Sequence, residues 1–493
     1  MKNYLSRNKI LILIIVLIIA AAAGISIYKS QSTALLDKEA YSEFRTAIED
    51  VGESEAGGFA DQQELSVLIK QWADSHSLEY KEDKHGNIIF DKPAAGRKKN
   101  FSPTLIAVNM NYETAVDNAR VLAAAAAIAV SDVEAGRRTV VFFNDEQGLA
   151  KGYKGISKKL ISSKTKVIYL DKGASNYIST GSFQQRCSEV TIPAEREENT
   201  FDVAVRVSIT GITSGVIGSG INKRPDPMSA LSSLLSRLKS RSVDCRVADV
   251  SIGSNGNMYP VSLDVTVVLN SYNLSSFTGY IEKRIKAWDK SYGDNYPDLK
   301  YEYEVIEDEE ALPETVYTAE TTDKLTGILY TITSGSYKYS ENDAIPEGKE
   351  PGEVYGINCL TGLQANDDNI KITVITQGVD DSFTDRIADG NKVATELYEC
   401  RYDETDYTKA FSNDKDSLAR TFRSTYENVT ENAAGDVALG SETDNFFTPC
   451  SYLAEKNSKA DIIHIRTKNS NAARIANAIL CYVKGKGNTS IFK

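Results

Sequence analysis

The sequence predicts an α/β fold, on three observations. Between Gly86 and Asp171 the short apolar strands GNIIFD, TLIAVNM, RTVVFFND and KVIYLD alternate with helical segments. Such alternation builds a sheet with helices on its faces, and places sites where the strands end. From about Thr200 a second texture takes over, with longer strands that alternate apolar and polar residues as half-buried sheets do. Near Thr405 the first kind of signal resumes, so the second texture reads as an insertion into one α/β domain.

The chain begins differently. Ile10 to Tyr28, ILILIIVLIIAAAAGISIY, carries no charge and is long enough to cross a bilayer as a helix. Lys2, Arg7 and Lys9 precede it, which keeps the N-terminus in the cytoplasm and exports the rest. A cleaved signal peptide is the competing reading, because the alanines could serve as a cleavage region. The apolar stretch is long for a signal-peptide core, which favours an uncleaved, single-pass anchor in the cell membrane with a large extracytoplasmic domain. No cysteine follows the alanines, so a lipoprotein anchor is excluded.

After the anchor and a short linker, Glu39 to Val51 and Asp61 to His76 show helical periodicity. A further helix, Ala115 to Val130, lies between TLIAVNM and RTVVFFND. In the second texture FDVAVRVSITGI and VSLDVTVVLNSY flank a helix near Asp226 to Ser240. A second round follows, with KYEYEVIE, a helix near Thr321 to Ser334, YGINCLTGL, IKITVITQG and a helix near Ser382 to Leu397. This reads as two copies of one α+β unit, joined by a polar connection around Ser291 to Asp298. KADIIHIRT and the helix NAARIANAILCYV close the chain. The expected organisation is therefore 1–30 as stub and anchor, 31–196 with 404–493 as one α/β domain, and 197–403 as an inserted lid.

Composition narrows the function. A chain of 493 residues, 41% hydrophobic and 25% charged, is globular and large enough for two or three domains. Its net charge of −12, with no Lys/Arg stripe, argues against a nucleic-acid partner. Six cysteines without a C-x-x-C pair rule out a zinc ribbon or a thioredoxin-type site, and leave disulfide pairing or isolated thiols open. No G-x-S-x-G elbow is present, and GSGINKRP lacks P-loop spacing.

Chemistry is expected at the strand ends. Asp117 follows VNMNYETAV, Asp145 and Glu146 end RTVVFFNDE, and Asp171 ends KVIYLD. One such carboxylate usually caps a helix or a turn. Several in one sheet converge on a crevice, where like charges raise each other's pKa unless a cation offsets them.

The blocks HGNIIFDKPAA, TLIAVNMN, VDNARVLAAAAAIAV, VVFFNDEQGLAKG and VIYLDKG resemble, in order and spacing, the aminoacyl-histidine (Xaa-His) dipeptidases. These belong to the dinuclear zinc peptidases with an inserted lid. The resemblance spans nearly everything after the anchor, and implies a zinc-peptidase-like α/β domain with a lid that forms a homodimer. It also implies site residues, position by position. Asn109 and Asn111 stand where the family has a zinc-binding His and the Asp that orients it. Asp117 keeps the bridging carboxylate. Asp145 stands at the general-base position, one methylene short, and Glu146 and Asp171 stand at ligand positions. Val216 replaces the lid histidine that supplies an oxyanion donor. The C-terminal His-Ser-Pro loop is missing, and His464 lies a few residues upstream of its place, on a strand.

Each zinc thus loses its imidazole, and an amide oxygen is a poor zinc ligand. The expected function is a membrane-anchored, catalytically degenerate peptidase-like protein that binds a peptide or protein partner in the former crevice. Its cofactor would be none, or a weakly held divalent ion. The alternative is an active metal-dependent aminopeptidase or dipeptidase that uses the carboxylates.

Overall fold

A computed structural model describes residues 35–485, apart from 55–56, 96–100, 147–149, 214, 216, 219, 254–257, 343–344, 346–348, 414–416, 431–439, 443 and 445. The apolar segment Ile10 to Tyr28 and Val216 lie outside the described residues. No helix among the described residues is long and apolar enough to cross a membrane.

The four strands read first from the sequence form the middle of an eight-stranded mixed sheet. Thr104–Met110 pairs in parallel with Arg138–Asn144 on one side and with Lys166–Lys172 on the other. Asp461–Thr467 follows in parallel beside Lys166–Lys172, and Ile88–Lys92 runs antiparallel to Arg138–Asn144. The central strands are buried along nearly their whole length, as strands covered on both faces must be. One face carries the helices Lys38–Gly52, Gln62–Ser75, Ala119–Val130, Ser417–Thr430 and Ala472–Gly485, whose apolar sides form the largest core. The other carries Lys151–Gly155 and Cys450–Lys456 over a smaller core.

The helix Ala119–Val130 is buried almost throughout, and its alanines let neighbouring helices approach closely. It begins four residues later than its sequence pattern suggests. The Asn111 side chain accepts from the Glu113 N–H and holds the chain in turns until Asn118. At its other end Lys92 Nζ donates to the carbonyls of Val130 and Ser131, at 2.8 and 2.9 Å. The buried Arg138 guanidinium also donates to Ser131, and burial pushes its pKa down to about 10. Two cations thus meet the carbonyl end of a buried helix, where the helix dipole favours positive charge.

The second sheet has nine strands and contains two units of identical order. The first runs Val203–Thr210, helix Pro227–Ser240, Cys245–Gly253, Ser262–Leu269, helix Leu274–Tyr292, Lys300–Ile306. The second runs Gln184–Pro193, helix Ala319–Thr331, Val354–Ala365, Asn369–Gly378, helix Asp381–Leu397, Arg401–Thr408. In each, the first strand sits between the fourth and the third, and the second lies beyond the third. The two second strands meet in the middle of the sheet, where Ile252 pairs with Leu363. The two α+β copies read from the sequence form one continuous sheet but are divided differently. KYEYEVIE, read as opening the second copy, is Lys300–Ile306, the fourth strand of the first, paired with Val203–Thr210. The first copy is nested between the first strand and the first helix of the second. By strand pairing the sheet extends from Gln184 to Thr408, one strand beyond either side of the 197–403 interval. The helix Leu274–Tyr292 and the strands Gln184–Pro193 and Arg401–Thr408 had no clear sequence signal. None of the six cysteines is joined in a disulfide.

Replacing Lys92 by Met removes the ammonium from the helix end and leaves two carbonyls short of a donor. The substitution is expected to lower unfolding stability by about 1–2 kcal/mol. Urea denaturation of the soluble domain measures it.

Candidate functional site

The carboxyl ends of Thr104–Met110, Arg138–Asn144, Lys166–Lys172 and Asp461–Thr467 bring together the residues singled out by the sequence. Asp145 follows its strand directly, and its N–H donates to Met110 O at 3.1 Å. Its carboxylate accepts from the Ala150 N–H at 2.7 Å and from Asn109 Nδ2 at 3.1 Å. Asn111 Nδ2 donates to the Asp145 carbonyl at 2.8 Å. Both asparagines therefore hold one residue in place. Asn109 is itself fixed from behind, by the Tyr153 hydroxyl at 3.2 Å. Tyr153 is fully buried and stacks on Phe143 with ring centroids 4.3 Å apart.

Burial is the largest influence on Asp145 and pushes its pKa up to about 6, against the opposing pull of the Ala150 N–H, Asn109 and Lys154. At neutral pH it carries a charge that its surroundings penalise.

Asp171 has different company. His464 Nε2 lies 3.6 Å from its carboxylate and Arg466 Nε 3.9 Å. On its other side the imidazole meets Asp444, with Nδ1 2.7 Å from Oδ2. Asp444 also accepts from the Tyr177 hydroxyl at 2.7 Å, and Arg466 Nη1 donates to that same hydroxyl at 2.9 Å. His464 is 1% exposed and the Asp444 side chain 0%. Burial alone would push His464 down and the two carboxylates up, but mutual attraction wins. His464 is held above its usual value, and Asp171 and Asp444 below theirs. A buried imidazole between two carboxylates, which an arginine and a tyrosine tie down in turn, is the strongest electrostatic feature of the site.

Asp117 is exposed, and Lys172 forms an ion pair with it. Glu146 is also exposed and donates its N–H to Asn144 Oδ1. The expected single nest of Asp117, Asp145, Glu146 and Asp171 is thus not what the structure shows. Asp117, Asp145 and Asp171 each have a partner of their own. No histidine was expected near this group, yet His464 lies beside Asp171. Among the described residues no group of three or more His, Cys, Asp or Glu is placed to hold a metal ion. An ammonium on Asp117 and a guanidinium beside Asp171 are donors turned against a cation, so the residues present do not fit a zinc pair.

Sequence reading missed Asp444, Tyr177, Arg466 and the role of Lys172. The last two were visible as cations next to, and two residues after, positions already singled out. Asp444 and Tyr177 come from segments whose signals pointed to nothing. His85 and His76 have structural roles. The His85 ring packs against Gly155, and His76 stacks on Trp72 with centroids 4.3 Å apart.

No protein-family model matches the chain, and no curated protein sequence matches it. Solved structures do. The crystal structure of an aminoacylhistidine dipeptidase from Vibrio alginolyticus superposes with a TM-score of 0.54 at 14% identity, over 92% of this chain and 98% of that one. A tripeptidase from Staphylococcus aureus gives 0.46 at 9% identity, covering 92% and 100%. A hydantoinase/carbamoylase-family amidase from Burkholderia vietnamiensis gives 0.49 at 10%, covering 92% and 98%. The first likeness establishes the fold, the one the sequence resemblance implied.

Two substitutions separate the two halves of the site. His464→Ala leaves the buried Asp444 carboxylate without its imidazole and the part-exposed Asp171 with Arg466 alone, and is expected to cost about 3 kcal/mol at neutral pH. A loss below 1 kcal/mol in chemical denaturation would refute the cluster. Asp145→Asn should act the other way. A carboxyl with a raised pKa costs stability above its folded value of about 6, and costs nothing below its unfolded value of 3.8. The variant should therefore gain about 1–2 kcal/mol over the wild type at pH 8, a gain that vanishes near pH 4.

Proposed function

We propose that this chain is a membrane-anchored, extracytoplasmic protein with a dipeptidase fold that no longer hydrolyses peptides, and that it engages a peptide or protein partner through the former crevice. One observation carries the reading. Two of the three carboxylates at family ligand positions are neutralised from within, Asp117 by Lys172 and Asp171 by His464 and Arg466. The charge balance that a metal would provide is supplied by the chain's own side chains. At the general-base position Asp145 is held by Asn109, Asn111 and Ala150 and is not free to orient a water. The amides that replace the family's His and Asp are thus bracing groups for a loop. A peptide partner would meet backbone donors, amides and the cations Lys172 and Arg466 at the rim.

The second reading, an active metal-dependent dipeptidase, draws its support from Asp145. A carboxyl with a pKa near 6 is suited to general acid–base work near neutral pH.

Metal analysis of the domain from Gln31 onward separates the two. Zinc well below one per chain and no turnover on an Xaa-His dipeptide panel are expected. Two zincs per chain would establish the hydrolase. Asn109→His, Asn111→Asp and Lys172→Met combined should raise zinc affinity, with turnover still absent because the C-terminal ligand loop is missing.

One route to a homodimer through the second sheet pairs its outer strands, Lys300–Ile306 or Arg401–Thr408. These expose Lys300, Glu302 and Glu304, and Arg401 and Glu404, respectively. Charged edges of this kind oppose strand addition. The homodimer drawn from the resemblance would then use another surface of this sheet. Light scattering on the soluble domain tests it, a dimer supporting the lid interface and a strictly monomeric mass at high concentration counting against it.

A further inference from the structure

The chain enters the described fold at a fixed point. The N–H groups of Leu35 and Leu36 both donate to Asn477 Oδ1, at 2.7 and 3.1 Å. Both leucines pack against the main core, and Asp37 then caps the helix Lys38–Gly52. Asn477 lies on Ala472–Gly485, so the chain joins the fold against the outer side of that helix. Only residues 29–34 separate this point from Tyr28, the end of the apolar segment. Fully extended, that stretch spans roughly 25 Å, less than the width of the folded domain. A tether so short brings one face of the domain up to the membrane.

We propose that the face resting on the lipid headgroups is the outer stripe of the helix Ala472–Gly485. The inference depends on the anchor proposed above. Charge selects this stripe from the surfaces within reach. Arg474, Asn477, Cys481 and Lys484 follow at steps of three, four and three, so they share one side of the helix. Arg474 and Lys484 are exposed, one on each side of the tether point. The neighbouring helix Ser417–Thr430 adds an exposed Arg420, with Glu427 as its exposed acid. On the opposite flank, Lys38–Gly52 exposes Glu39, Glu43 and Asp50 beside Lys38. Anionic headgroups attract the first surface and repel the second, over about a Debye length. The domain therefore leans onto its C-terminal helix, with the acidic helix turned away.

The test uses the full-length protein in vesicles of phosphatidylcholine and phosphatidylglycerol that contain a headgroup-nitroxide lipid. A fluorescent side chain is placed at position 484 or, for comparison, at position 272, where Tyr272 is 78% exposed next to the helix Leu274–Tyr292 of the second sheet. Resistance to carbonate extraction reports the anchor separately from the orientation. Quenching several-fold stronger at 484 than at 272 is expected, and Arg474→Glu or vesicles of phosphatidylcholine alone should reduce it with the protein still embedded. Equal quenching at the two positions in carbonate-resistant protein overturns the orientation and leaves the anchor standing. Release by carbonate overturns the anchor, and this inference falls with it.

Discussion

A buried imidazole set between two carboxylates, themselves held by an arginine and a tyrosine, is the constraint around which the strand ends are arranged. Burying any one of these charges alone would cost several kcal/mol, so the cluster persists only as a set. Its members come from four places, the Asp461–Thr467 strand, the Lys166–Lys172 strand, the short strand Tyr177–Ser179 and the segment around Asp444. That segment also ties the two sheets together, since Phe447 donates its N–H to Gln377 in the second sheet. The positions of the crevice wall and of the second sheet thus both depend on the cluster's charges remaining matched.

A second network braces the neighbouring strands with no cation among its members. Tyr153, Asn109 and Asp145 form a chain that ends on the Ala150 N–H. Ala150 adopts a left-handed backbone, φ 54°, and the short helix Lys151–Gly155 starts immediately after it. An uncommon conformation for a residue with a side chain is affordable here because the Asp145 carboxylate accepts its N–H.

Much of the fold was legible in the sequence because its periods were clean. TLIAVNM and RTVVFFND are uninterrupted apolar runs, and Asp61 and Asp226 mark helix starts where the structure places caps. Strand Arg401–Thr408 was illegible because RYDETDY carries its charges outward at a sheet edge and buries little. Leu274–Tyr292 buries only Phe277, Ile281 and Trp288, too sparse a stripe to stand out among polar residues. At the site, the resemblance located the strand ends correctly, but counting carboxylates misjudged their company. A carboxylate run looks like a metal nest until the cations facing it are placed. Lys172, Arg466 and His464 were all in the sequence, and only the pairing of their strands reveals which acid each one serves.

The ion pair between Lys172 and Asp117 has a consequence beyond the crevice. A metal ion is a dissociable component, present only as far as its concentration in the surroundings allows. An ammonium carried on the adjoining strand is always present at an effective concentration set by the chain itself. It cannot be chelated, exchanged for a competing cation or diluted away. The arrangement of side chains around Asp117 is therefore independent of trace-metal supply.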